Sequence, residues 1–396
     1  MEESSRYLSR CRKRSSGSGG GGYLPEELII EILSWACVTS LVRCKSVCKL
    51  WLSIISEPEF IKAQHMNSVI KVPSILVISA RIGVDNVESY GLCDATVVYP
   101  QEDETQQVPV PLLSPFDSLI FISSINGIAC VCNAIPSDIY LFNPLTRMSR
   151  KLPPEIIPEN IRPFANNAVR FDVAFGFDSE SNDYKVLKIA YRELAHYSNR
   201  ALDVLSVNLY SSNSDSWREI QVGIALPSLV YCPIVPVLIS GPVVDGVLYL
   251  EAVNTIVTFN LHSEIFGLIP YPSFNHKRKS NVFDFEGSVV VVLESVRDGS
   301  LDEKEVSLWT MEAVSDEVFW NKIFTFDAGF NDTDWVFLYS GANNFVGKTK
   351  LGQVLYDYRK KKTKYIRLPS QSFFVKALKH TETLLSAEQF IGVNNS

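Results

Sequence analysis

One strand–turn–strand motif recurs along this chain, and the spacing between its copies limits the possible folds. Each copy is a short β-rich run ending in an aromatic residue, then a polar turn and a second β-rich run. The aromatic residues stand at positions 142, 210, 259, 309 and 356, and the last three intervals are 49, 50 and 47 residues. A period near fifty with about four short strands per unit is typical of β-propeller blades, and about six such units fit after residue 75.

The copies are degenerate, so a second architecture stays open. Residues 142–153 and 259–270 align without a gap, whereas the first interval between aromatic residues is 68 residues. An irregular β-sandwich would tolerate that uneven spacing. No long helical pattern occurs from Val72 to about residue 376, so the sequence predicts an all-β domain over residues 68–396.

Helical periodicity is confined to residues 23–67. Pro25 suits the first turn of a helix, and Leu28 and Ile32 recur on one apolar stripe together with Ile29 and Leu33. A second helix, capped by Thr39 or Ser40, is predicted to carry the following apolar residues: Leu41, Val42, Cys44, Val47, Cys48, Trp51, Leu52 and Ile55. A third short helix begins after Glu57. Three helices in about 45 residues form a core that is marginal alone, which indicates a module that docks onto a partner.

Residues 1–22 are rich in Ser, Gly and Arg, and we predict a disordered leader. Its cluster from Arg10 to Arg14 fits either a nuclear import signal or a solvated tail. No apolar signal-peptide core precedes the helices, and the most apolar region is broken by prolines and glycines. We therefore expect an intracellular protein, cytoplasmic or nuclear, with no membrane span.

Charge and motif content argue against several functions. A net charge of −7 disfavours nucleic-acid binding. The eight cysteines have no zinc-ligand spacing, so we expect no metal site and no cofactor. Residues 341–349 resemble a phosphate loop but hold five residues between the glycines where the motif needs four, and a hairpin fits better. His262 is expected in a solvated turn, and the basic run 359–364 at a hairpin tip. We expect no catalytic residues.

The two halves together resemble a plant F-box protein with an F-box-associated, kelch-like interaction domain. The F-box resemblance rests on Leu24-Pro25-Glu26-Glu27-Leu28, on Ser40-Leu41-Val42-Arg43-Cys44 and on the run to Trp51. Cys37 stands where family members often have a proline. The associated domain is matched by Leu141-Phe142-Asn143-Pro144, by Phe175-Gly176-Phe177-Asp178 and by Asp215-Ser216-Trp217.

This resemblance implies a substrate-receptor subunit of a Skp–cullin–F-box ubiquitin ligase, without catalysis of its own. Its F-box would bind a Skp-family adaptor and, through it, a cullin, and its β domain would recruit a target protein. We expect the adaptor to be contacted by these residues: Leu24, Pro25, Leu28, Ile32, Leu33, Leu41, Val42 and Val47. The F-box core is expected to contain Ile29, Cys48 and Trp51.

The substrate-binding residues are not readable from the sequence. The segment 153–170 is either a rim loop or a structureless spacer. Two other functions stay open: a Skp-bound scaffold without a degradation target, and a β domain that binds a glycan or small molecule. The predicted fold class is α+β and multidomain, a small three-helix F-box followed by a large propeller-like domain.

Overall fold

The structure is a computed structural model of the full chain. It describes residues 24–71, 74–82, 90–99, 105–108, 119–133, 138–155, 169–193, 202–227, 241–252, 255–272, 277–296, 304–314, 317–326, 334–340, 344–349, 352–357, 359–366 and 372–385. The predicted leader, most of the segment 153–170 and residues 341–343 lie outside these ranges.

Four helices begin the described chain: α1 (Glu26–Ser34), α2 (Val38–Cys44), α3 (Lys49–Ser56) and α4 (Pro58–Ile70). The prediction of one long second helix is therefore wrong, because that segment is divided into α2 and α3. Cys48 separates them with an extended backbone (φ −158°, ψ 166°), and its Sγ accepts a hydrogen bond from the backbone N–H of Trp51. This is the geometry of an N-cap, which starts a new helix at Lys49.

The described strands form six four-stranded antiparallel sheets, which we call blades 1 to 6. Blade 1 contains β1 (Ser74–Ile82), β2 (Tyr90–Val98), β3 (Thr105–Val108) and the last strand, β24 (Ser372–His380). Blade 2 contains β4 (Leu119–Ile125), β5 (Ile128–Asn133), β6 (Ile139–Asn143) and β7 (Met148–Lys151). Blade 3 contains β8 (Val169–Asp178), β9 (Asp183–Glu193), β10 (Leu202–Ser211) and β11 (Ser216–Glu219).

Blade 4 contains β12 (Val243–Val244), β13 (Val247–Glu251), β14 (Thr255–Asn260) and β15 (Phe266–Pro270). Blade 5 contains β16 (Lys277–Phe285), β17 (Ser288–Val296), β18 (Lys304–Val314) and β19 (Glu317–Phe326). Blade 6 contains β20 (Asp334–Ser340), β21 (Asn344–Thr349), β22 (Gly352–Asp357) and β23 (Lys362–Ile366). In blades 2 to 6 the strands follow chain order across the sheet, so each blade is a simple meander.

Blade 1 closes the ring by joining the two ends of the β domain. Its innermost strand, β24, pairs with β1 so that His380 lies opposite Ser74. β24 also contacts β20 of blade 6 and β4 of blade 2. Because the closing strand comes from the far end of the sequence, separation of the blades requires this long-range sheet to break.

Tight turns lie at one end of the blades, and we call this the turn end. They include Asn126-Gly127, Asp245-Gly246 and Glu286-Gly287, in which both residues have positive φ. Positive φ at both positions is the requirement of a two-residue type I′ hairpin. The helices lie against the turn end, because α4 leads directly to the start of β1. At the opposite end of the blades, 17 residues of sequence (152–168) separate the end of β7 from the start of β8, and 23 residues (220–242) separate β11 from β12.

The helical module and the propeller share one hydrophobic core at the turn end. Leu33, Leu41 and Phe60 from the helices are buried in the same cluster as Leu76 and Phe142 from blades 1 and 2. The predicted fold class is confirmed: a small helical module precedes a large all-β propeller. In the described part of the chain, no helix is both long and apolar enough to cross a membrane.

Candidate functional site: the helical docking face and its junction with the propeller

Helix α1 is apolar on two opposite sides, and one side faces solvent. Ile30 and Leu33 are buried in the shared core, whereas Leu28 and Ile32 are 49% and 59% exposed. Leu28 and Ile32 are four residues apart, so they lie on the same side of the helix, one turn from each other. Glu26, Glu27 and Glu31 occupy the rest of the surface of α1, so the outer pair forms a separate exposed apolar stripe, which indicates a partner surface.

The start of α1 adds to this stripe. Leu24 is 58% exposed, and Pro25 beside it is also exposed. The carbonyl oxygen of Pro25 accepts the backbone N–H groups of Leu28 and Ile29 at 3.0 and 3.1 Å. Pro25 is therefore the last residue before the helix, and Leu24 lies beside the helix start.

The next two helices and the turn between them present further exposed apolar side chains. Val42 of α2 and Leu52 of α3 are 37% and 47% exposed, and Val47 in the turn is 62% exposed. The turn is held by Ser46, whose hydroxyl donates to the carbonyl oxygen of Arg43 at 2.7 Å. Six of the exposed residues are among those expected from the sequence to contact a partner, and we call these six the docking face: Leu24, Pro25, Leu28, Ile32, Val42 and Val47. Exposed apolar side chains grouped in this way indicate an interaction site.

Two further residues that were expected to contact the adaptor lie below this face. Leu33 is 5% exposed and Leu41 is fully buried, and both pack in the shared core. Of the residues expected in the F-box core, Ile29 and Trp51 are partly buried against it, whereas Cys48 is exposed, because it caps the start of α3. The structure thus separates the candidate residues into an outer layer that a partner can touch and an inner layer that supports it.

A short segment after β24, residues 381–385, joins the helical module to the propeller. The carboxylate of Glu382 accepts the backbone N–H of Val38 at 3.0 Å, at the start of α2, and the hydroxyl of Tyr99 at 2.6 Å, at the end of β2. His65 of α4 also bonds to the backbone of Glu382. One side chain thus bridges the helices and blade 1.

The same segment is attached to blade 2. The side-chain amide of Asn143 donates to the carbonyl oxygens of Thr383 and Leu385 at 2.8 and 2.7 Å. Gly127 lies so close that a Cβ there would be 2.3 Å from the carbonyl oxygen of Thr381. These contacts, with the shared core, hold the docking face in one orientation relative to the blades.

Two histidines at this junction are kept neutral by burial. Burial lowers the pKa of His380 to about 4, and its Nδ1 lies 3.1 Å from the hydroxyl of Ser124. Burial also lowers the pKa of His65, although its hydrogen bond to the backbone of Glu382 acts in the opposite direction. Protonation of either ring would place a charge next to the shared core, which costs free energy.

A buried charged cluster links blades 3 and 4 at the turn end. Lys185 is 5% exposed, and its Nζ donates to the carbonyl oxygen of Leu261 at 2.5 Å and pairs with Glu264 at 3.1 Å and Asp178 at 3.4 Å. His262, expected in a solvated turn, is exposed but places its Nδ1 3.2 Å from Asp178. Sequence reasoning missed this cluster because its members come from two blades.

A surface cavity of about 370 Å³ lies between the outer strand of blade 3 and the chain that leaves blade 2. Its lining includes Trp217, Pro154, Asn208, Glu219 and Glu155, and Glu155 is paired with the buried Lys188. An aromatic wall with a few polar groups is typical of small-molecule sites.

The sequence motifs that suggested other chemistry are now located. The segment 341–349 resembles a phosphate loop in sequence, but its residues 344–349 form strand β21. A phosphate loop requires a helix at this point. The basic run lies at the β22–β23 hairpin tip as predicted, with Asp357 opposite Lys362. Within the described ranges, no three His, Cys, Asp or Glu side chains are grouped so that they could hold a metal ion.

The fold and the docking face together define a class of protein: a binding module of β-propeller type with a helical docking unit fixed at its turn end. Comparison with protein families supplies the particular family. Residues 95–366 match the family described as F-box associated beta propeller domain, and residues 22–65 match the family described as F-box-like. The chain belongs to the F-box associated β-propeller family and carries an F-box, which confirms the resemblance seen in the sequence.

Several proteins of Arabidopsis thaliana are similar to this chain over most of its length. The chain is 24% identical to F-box protein At4g22390 over 76% of its own length and 73% of that protein. It is 26% identical to F-box protein CPR1, with 76% and 72% of the two chains covered. It is 25% identical to F-box protein At3g07870, with 78% and 74% covered.

Proposed function

We propose that this protein is the substrate-receptor subunit of a Skp–cullin–F-box ubiquitin ligase. The observation that carries the proposal is the solvent-facing apolar stripe of α1, Leu28 and Ile32, on a helix whose other side already fills the shared core. Burial of such side chains by a partner stabilises a complex by about 1.5 to 3 kcal/mol for each fully buried residue.

The adaptor is a Skp-family protein, and it covers the docking face. Leu24, Pro25, Leu28, Ile32, Val42 and Val47 supply direct contacts, and Leu33 and Leu41 support them from below. A cullin is recruited through the adaptor and not by this chain directly. The complex works in the cytoplasm or the nucleus.

The propeller holds the target protein, and the chain performs no catalysis itself. Bringing target and ligase together raises their effective concentration, which accelerates transfer without any chemistry by the receptor. The strand ends separated by the longer stretches of sequence, at 152–168 and 220–242, lie opposite the docking face, which favours that end for target binding. The rigid junction at residues 381–385 then sets the distance between target and ligase.

Binding of the full chain to a purified Skp-family adaptor tests this proposal. We expect Leu28→Ala with Ile32→Ala to weaken the affinity by at least about 30-fold, because two contacts at the centre of an interface are removed. Leu24→Ala with Pro25→Ala should abolish co-purification of the adaptor while the propeller stays folded. The matched control is Ile265→Ala, which removes a 66% exposed apolar side chain from blade 4. Unchanged affinity in both double variants would refute the docking face.

The functional alternatives give different results in two further measurements. A scaffold without a degradation target would bind the adaptor, but Leu28→Ala with Ile32→Ala, which leaves the shared core intact, would not change the half-life of any protein bound by the propeller. A small-molecule or glycan receptor is favoured only by the cavity beside Trp217. Thermal-shift screening of wild type and Asn208→Leu would detect a ligand there, since the variant removes a polar group from the cavity wall.

A further inference from the structure

The outermost strand of blade 5 differs from those of the other blades. β19 has 10 residues, whereas β3, β7 and β11 have 4 each, and β15 and β23 have 5 each. A short outer strand protects a sheet from pairing with other chains, because few backbone groups remain unpaired. β19 lacks this protection, and no described strand pairs with its outer edge.

An internal comparison shows that β19 also exposes apolar side chains. Trp217 in β11 and Trp320 in β19 are equivalent, because each donates its indole N–H to a proline carbonyl of the preceding blade at 2.9 Å. The residue before the tryptophan is Ser216 in blade 3 but Phe319 in blade 5, and Phe319 is 48% exposed. Blade 3 thus shows that this position of the repeat does not need an aromatic residue.

The first part of β19 is a regular strand. Glu317 to Lys322 pair with β18 without interruption, and the register shifts only afterwards, at Ile323. The ammonium group of Lys322 lies over the ring of Trp309 on the neighbouring strand β18, 5.9 Å from the ring centroid. The side chain of Lys322 therefore points towards β18 and not towards the outer edge. The edge from Glu317 to Lys322 therefore offers an unbroken ladder of backbone groups with an aromatic residue at its middle.

We propose that β19 pairs with β19 of a second copy of this chain, antiparallel and about a two-fold axis at Phe319. A two-fold axis perpendicular to the sheet keeps each side chain on its own face, so Phe319 meets the partner's Phe319. In this register Glu317 lies opposite the partner's Asn321, and Val318 lies opposite the partner's Trp320. No two like charges face each other, and the uninterrupted part of the strand supplies the ladder.

A second copy fits this edge better than an unrelated strand, because the strand is complementary to itself. In this register Glu317 faces an amide and not a like charge, and the exposed aromatic residue gains an aromatic partner only at the symmetry axis. Such a dimer would present two docking faces and two propellers in one particle. Two linked binding sites raise the avidity for a target that has more than one recognition segment.

Sedimentation of the purified full chain tests the proposal, and its outcome does not depend on the proposed ligase function. Because a single strand pair is a small interface, we expect a dimer at about 10 to 100 µM that dissociates on dilution. Phe319→Ser, which copies the sequence of blade 3, should raise the dissociation constant at least about tenfold with an unchanged melting temperature. Ile32→Ser on the docking face and Ile265→Ser on blade 4 should leave it unchanged.

Three results would overturn the dimer. If the wild-type protein is a monomer, the dimer does not exist, and the edge of β19 is instead available to an extended segment of another protein. A dimer that persists in Phe319→Ser, or that is lost in Ile32→Ser, places the contact elsewhere. A second measurement checks the register: Phe319→Cys should form a disulfide with the partner's residue 319 under mild oxidation, identified by peptide mapping, whereas Ile265→Cys should not.

Discussion

The indole N–H of Trp217 donates to the carbonyl oxygen of Pro153 at 2.9 Å and joins the outer strand of blade 3 to the chain leaving blade 2. Trp320 repeats this bond to Pro270 between blades 5 and 4, also at 2.9 Å. The tryptophan and the proline thus form a clasp between neighbouring blades. The repeated sequence motif therefore contains the residues of this clasp as well as those of the strands.

Loss of the clasp should destabilise the propeller. Trp217→Phe leaves the Pro153 carbonyl without its donor, and we expect the free energy of unfolding to fall by about 1 to 3 kcal/mol. The same change at Trp320 should cost less, because that bond is exposed whereas the bond of Trp217 is partly buried. Urea denaturation of both variants measures the difference, and equal losses would contradict the ranking.

Glu382 should couple the helices to the propeller. Glu382→Gln weakens the acceptor for both Val38 and Tyr99, and we expect the free energy of unfolding to fall by about 1 to 3 kcal/mol. Tyr99→Phe removes one of the same bonds, so the double variant should lose less than the sum of the single losses. A double-mutant cycle by chemical denaturation measures this coupling. Strict additivity would show that the two residues act independently.

Mild acid should weaken the junction through His380. Because burial lowers the pKa of His380 from 6.5 to about 4, the unfolded chain takes up a proton at higher pH than the folded chain does. The stability contributed by the neutral ring is complete above about pH 6.5 and is lost as the pH falls towards 4. Melting temperatures between pH 7.5 and 4.5 should decline less steeply in His380→Gln than in wild type. Parallel curves would exclude this histidine as the cause.

Stronger acid should act on the charged cluster of blades 3 and 4. Burial works to raise the pKa of Asp178, but hydrogen bonds from Ser181, Glu180 and His262 outweigh it and lower the pKa from 3.8 to about 2. Since the folded pKa is the lower one, this stability is present above about pH 4 and disappears as the pH falls to 2. Asp178→Asn should therefore be less stable than wild type at pH 7, and the gap should close in acid. Denaturation at pH 7, 4 and 2.5 measures the gap.

The local features of this chain were predictable. Strand periodicity, the aromatic residue before each turn and the Asn126-Gly127 and Asp245-Gly246 turns act within a few residues, so the amino-acid order alone indicates an all-β repeat. The apolar character of α1 likewise predicts a docking helix. The break at Cys48 was missed, because the residues on both sides of it fit one helical pattern.

The sequence by itself determined the element types, the repeat and the family, since each depends on neighbouring residues. Only the tertiary structure decided which apolar residues of the helices are exposed, with Leu28 and Ile32 in solvent and Leu33 and Leu41 in the shared core. It also brought Glu382 to Val38, 344 residues away along the chain, and Lys185 to Glu264. Contacts of this kind arise from ring closure and blade packing, and no local pattern encodes which distant residues these will bring together.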